Sequence, residues 1–178
     1  MKTIRILLLA LAVMAVFSAA IDAQTKKKPV KTTPAANKGS TLPPLDVRAA
    51  RVKVDNQLAN IKQFVTQFGP VAQAIEELDA DSRTKKVNQQ AIDKNTANKT
   101  AVITAIRNIR EGMVKLESEF RVKPALKKYL PLIQGISDLT GQSETSAIAG
   151  KFVAANAPLR TVQQKLTDTL AAMPAAEL

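Results

Sequence analysis

Two kinds of side-chain grouping in this chain have spacing that could do chemistry. Lys26, Lys27, Lys28 and Lys31 fall close together, and no acid interrupts the stretch from Gln24 to Pro44. Clustered ammonium groups attract polyanions, here anionic envelope lipids or lipopolysaccharide. Lys123, Lys127 and Lys128, beside Arg121 and Tyr129, form a second basic corner expected to assist them. The other grouping is acidic. Glu76, Glu77, Asp79 and Asp81 open like a calcium loop, with Asp at the first and third positions. The pattern then stops, because Thr84 stands where the sixth position needs glycine and Gln90 where the twelfth needs a bidentate Glu. A helix end, a turn and an N-cap account for these acids instead, so no metal site is assigned.

Composition excludes much of the remaining chemistry. Among 178 residues there is no Cys, His or Trp, with one Tyr and five Phe. Zinc sites of the usual kind, thiolate nucleophiles, Ser-His-Asp triads and haem or iron–sulfur ligation are therefore out of reach. Disulfides cannot form, and stability must come from packing. No glycine-rich phosphate loop occurs, and aromatic platforms for stacking bases are nearly absent, so no specific nucleic-acid partner and no cofactor are expected.

The lysines are placed by two segments at the start of the chain. Lys2 and Arg5 precede an uncharged apolar run from Ile6 to Phe17, followed by small residues. This is the pattern of a cleavable signal peptide over 1–23, cut after Ala23, and it predicts a periplasmic or secreted protein. An uncleaved anchor is the alternative, although the run is short of the roughly 20 apolar residues of a membrane span. Residues 24–44 follow, with five lysines and four prolines, and are expected to be a disordered basic tail. The formal charge of the whole chain is +11, from 26 basic and 15 acidic residues.

From Leu45 to the end the pattern is helical and predicts an all-α body over 45–178. Val47, Val54, Leu58, Ile61, Val65 and Phe68 follow three-four spacing, continued by Val71, Ile75 and Leu78. Val102, Ile106, Ile109, Met113, Leu116 and Phe120 make a second stripe, and Ile148, Phe152, Ala155, Leu159, Val162, Leu166 and Leu170 a third. Residues 70–82 (PVAQAIEELDADS) and 131–143 (PLIQGISDLTGQS) align at an offset of 61. Read as a repeat, each copy has a Pro, two apolar turns, a short polar turn and a Ser that caps the next helix. Two αα-hairpins, about 45–122 and 123–174, then form a four-helix bundle with coiled-coil-like stripes. In that bundle the second helix runs from about Ser82 to Val122 and the third from Lys123 to Leu139. Pro70, Pro131 and Pro158 are expected to kink or break their helices. Asn88 and Asn95 fall on the core row of the second helix, either buried as register-setters or facing solvent or a partner such as a second copy.

Two resemblances bear on function. Glu117-Ser118-Glu119-Phe120 resembles the Glu-Ser-x-Phe stretch around the catalytic acid of soluble lytic transglycosylases. It implies a peptidoglycan-acting enzyme in which Glu117 protonates the glycosidic oxygen. The resemblance spans four residues, and VKPALKKYLPL follows Arg121 where that family has a Gly-Leu-Met-Gln-type segment. Arg121, four residues on, also offers Glu117 a helical ion pair. In charge, size and expected export the chain is similar to small basic helical periplasmic chaperones. However, Leu139-Thr140-Gly141-Gln142 is one residue short of the Leu-Thr-x-x-Gln pattern of the Spy-type family. The expectation drawn is a non-catalytic exported binding or scaffold protein whose cationic arm associates with anionic envelope material. A chaperone or carrier holding apolar client polypeptides is the alternative.

Overall fold

The structure, a computed structural model, describes residues 43–84 and 86–175. Residues 1–42, which hold the stretch expected to be a signal peptide and most of the basic tail, lie outside the described residues, as do residues 85 and 176–178. All regular structure among the described residues is helical, so the body is all-α. Helix α1 spans Leu45–Thr84, α2 Gln89–Val122, α3 Leu130–Ile133, α4 Ile136–Ile148 and α5 Phe152–Ala172. A 3₁₀ segment, Pro124–Tyr129, follows α2.

The helices pack in a cycle, α1 against α2 and α5, and α4 against the same two. Cross-links fix the directions. Asp46 meets Lys123 while Asp79 meets Lys99, so α1 and α2 are antiparallel. Arg51 reaches Leu170 while Glu76 reaches Val153, so α1 and α5 are antiparallel as well. The apolar stripes read from the sequence supply the core: Val54, Ile61, Ile106, Met113, Phe120, Phe152, Leu159 and Leu166 are fully buried. Ile148 departs from this pattern, at 60 % exposed. It ends α4 instead of facing the core.

Punctuation differs from the repeat reading. The two aligned segments fold unlike one another. Residues 70–82 lie wholly within α1, which runs on to Thr84 with no turn at Asp79–Asp81. Ser82 is not an N-cap; its hydroxyl donates to the Asp79 carbonyl in the last turn of α1 (2.9 Å). The cap of α2 is Asn88, whose side-chain oxygen accepts from the Gln90 N–H (3.0 Å). In the second copy there is no turn at Thr140–Gln142, because α4 runs through it. Ser143 is buried within α4 and donates to the Ala155 carbonyl of α5 (2.8 Å).

The third helix expected over 123–139 is three pieces. Pro124 opens the 3₁₀ segment and Pro131 sits in the first turn of α3, where a missing N–H costs nothing. Gln134 (φ −55°, ψ 135°) and Gly135 (φ 88°, ψ 4°) then make a type II turn, which demands positive φ at its second central residue. A second glycine closes α4. Gly150 has φ 77°, its N–H meets the Ala147 carbonyl, and the Lys151 N–H meets that of Ser146. That bond pair is a Schellman motif. Pro70 and Pro158 do not break their helices. Each removes one hydrogen bond, to Thr66 and Ala154 respectively, and both of those residues are exposed, so water can serve the freed carbonyl.

Candidate functional site

The basic corner is set by the end of α2 and the 3₁₀ segment. Leu126 and Tyr129 turn inward and are buried, which leaves Lys127 and Lys128 exposed on the outer side. Neither lysine has an ion pair among the described residues. Lys128 lies over the Tyr129 ring, 4.8 Å from its centre, a cation–π contact that keeps the ammonium at the surface. A groove of about 440 Å³ runs beside it, lined by Pro43, Pro44, Val47, Pro124, Ala125, Lys128, Tyr129 and Pro174. Pro43 and Pro44, the first described residues, therefore lie at this corner.

Lys123 does not belong to the free cluster. Its ammonium sits 2.9 Å from Asp46 and 2.8 Å from Glu119, and these carboxylates raise its pKa to about 12. Glu119 also takes Lys53 at 2.6 Å. Burial alone would raise the Glu119 carboxyl, but the bonds and charges of Lys123 and Lys53 outweigh it and hold the pKa low. Lys123 is thus a strut between α1 and α2, a role its place in a lysine-rich stretch does not disclose. Lys26, Lys27, Lys28 and Lys31 lie outside the described residues.

Glu117 is a structural anion. It is 2 % exposed and accepts from the Gly135 N–H (3.0 Å), the Ser137 N–H (3.0 Å), the Ser137 hydroxyl (2.7 Å) and Arg121 (2.5 Å). Desolvation by burial pushes its pKa up, yet these four donors overcome it and bring the value to about 2. A general acid must carry a proton at its working pH. Glu117 is instead an acceptor that gathers the N–H groups at the start of α4.

The other acids have comparable jobs. Glu76 accepts from the Val153 N–H in the first turn of α5 (2.8 Å). Asp79 takes Lys99 (2.6 Å) and the amide of buried Asn95 (2.8 Å), which also donates to the Ile75 carbonyl (3.3 Å). Asn95 is thus the buried of the two asparagines. No group of three or more metal-ligating side chains occurs among the described residues. Glu144 binds both Arg107 and Arg110 of α2, at 2.9 Å each, and the two hydrogen bonds lower its pKa against burial. Arg51 donates to the Leu170 and Met173 carbonyls at the end of α5. The ion pair expected four residues apart, Arg121 with Glu117, forms, while Arg51 and Arg107 reach other helices.

No family model matches this sequence, and neither a curated protein nor a solved structure matches it. Among the described residues no helix is long and apolar enough to cross a membrane.

Proposed function

We propose that this is an exported, non-catalytic helical scaffold whose cationic arm associates with anionic cell-envelope material. The helix cycle is read here as a four-helix bundle of two hairpins, with the body serving to hold the arm's root. One observation supports the reading most. Pro43 and Pro44, to which the lysine-bearing segment is joined in sequence, line the same groove as Lys128, and neither Lys127 nor Lys128 has an ion pair among the described residues. Elsewhere the half-buried and buried carboxylates are taken up by internal partners, as with Glu117, Glu119, Glu144 and Asp79.

The test uses protein expressed from the full sequence, with its N-terminus read by intact mass. Binding to lipopolysaccharide and to anionic vesicles is measured across a salt series, against a variant with Lys26, Lys27, Lys28 and Lys31 changed to Ser. Each lysine near an anionic surface contributes about 1 kcal/mol. The variant is expected to lose roughly two to three orders of magnitude in affinity, and wild-type binding to fall steeply with salt. Equal binding by the two proteins would sink the arm reading. Client holding along the α2 groove of Val114, Ser118 and Val122 would then be the reading to pursue.

A further inference from the structure

The end of the body where α1 begins and α2 ends carries more than charge. Leu45, the first residue of α1, is 75 % exposed, and Val122, the last of α2, is 73 % exposed. They are the two most exposed of the large apolar side chains among the described residues. Their chain neighbours Asp46 and Lys123 are joined at 2.9 Å. Leu45 and Val122 therefore flank one ion pair at one end of the molecule. Arg48, Lys127 and Lys128 stand at the same end with no ion pair among the described residues, and Pro44 beside Leu45 lines the groove that Lys128 also lines. A soluble polyanion would use the cations but gain nothing from two bare aliphatic side chains. A lipid surface uses both, since anionic headgroups lie a few ångströms above an apolar phase.

We propose that this end is a docking surface for an anionic phospholipid bilayer, with Leu45 and Val122 entering the headgroup–acyl boundary while Arg48, Lys127 and Lys128 meet lipid phosphates. The proposal rests on the arm reading above and narrows its target from anionic material to lipid. The charge of Arg48, Lys127 and Lys128 is complementary, and exposed apolar side chains at the same end as these cations fit an interface better than a hydrated polymer. The arm supplies long-range attraction, and the two aliphatic side chains convert it into a seated contact that high salt weakens only in part.

Three forms of the full-sequence protein test this: wild type, Leu45→Ser/Val122→Ser, and Val122→Trp. The probes are phosphatidylglycerol vesicles and soluble polyphosphate, with sedimentation velocity to record oligomeric state. The double serine variant is expected to bind vesicles about tenfold or more weakly and polyphosphate as wild type does. Because the chain has no Trp of its own, the Val122→Trp protein reports a single environment, and its emission should shift to the blue on vesicles alone. The lipid proposal is overturned, with the arm reading intact, if the double variant binds vesicles like wild type, if no blue shift appears, or if wild type binds polyphosphate but not vesicles. A dimer that the double variant dissociates would assign the face to a second copy and also overturn it. Failure of wild type to bind either probe would remove the arm reading itself.

Discussion

A carboxylate withdrawn from water is expensive unless donors surround it, and Glu117 has four. Its pKa of about 2 lies below the ordinary 4.5. The folded state therefore holds on to this proton less tightly than the unfolded chain does. The stabilisation is complete above about pH 4.5 and is lost as the pH falls toward 2. Its size is on the order of 3 kcal/mol, from about 1.4 kcal/mol for each tenfold change in proton affinity. Glu117→Gln should cost a similar amount at pH 7, and the two proteins should converge in urea unfolding near pH 2. A catalytic acid would predict otherwise, with the glutamine variant at least as stable as wild type. Asn95→Ala should cost about 1–2 kcal/mol, because it strips donors from the buried Ile75 carbonyl and from Asp79.

Where helices begin and end was decided by small residues in particular conformations. Gly150 holds φ at 77° in the Schellman turn, so Gly150→Ala should destabilise by about 1–2 kcal/mol. Gly141 is the contrasting case. It lies inside α4, and an added Cβ would sit 3.6 Å from Arg110 Nε, an ordinary contact. Gly141→Ala should stabilise by about 0.5–1 kcal/mol, through chain entropy and helix propensity. Chemical denaturation of the pair checks both signs. If both were destabilising by the same amount, the turn and the helix interior would not be distinguished and the α4 boundary would be in doubt.

On the scale of the whole molecule, cross-helix charge ties the cycle together. Lys53, Glu119, Lys123 and Asp46 link α1 to α2, Glu144 links α4 to α2, and Arg51 holds the end of α5. Contributions differ with burial. Lys53→Ala should cost at most about 1 kcal/mol, since the lysine side chain is 54 % exposed. Arg51→Ala should cost more, about 2 kcal/mol, because two terminal carbonyls of α5 lose a charged donor. The Leu45→Ser/Val122→Ser protein should unfold within about 0.5 kcal/mol of wild type, as expected where little is buried. A larger loss would mean that these side chains support the fold.

The all-α class and most of the core were legible in the residue order, though not Leu126, Tyr129, Ile133 and Ile136, from the end of α2 to the start of α4. The three-four spacing of Val54, Leu58, Ile61 and Val65, or of Ile106, Met113 and Phe120, is a local property that one helix face imposes by itself. Chemistry without Cys or His was equally a matter of composition. Boundaries were not legible in this way. Two segments alike in sequence became the interior of one helix and a chain of short ones. The difference came from Gly135 and from Glu117, which is 18 residues away in sequence from its nearest backbone donor. Ser82 and Asn88 both had cap chemistry, and only the packing chose between them. The partners of Arg51, Arg107 and Lys123 were hidden for the same reason. On an isolated helix a charge sees residues three or four away, whereas in the packed molecule it meets whichever opposite group the neighbouring helix brings closest. Residue order alone determines which face is apolar, because that is local; the polar partners depend on distances between helices, and those exist only once the chain has folded.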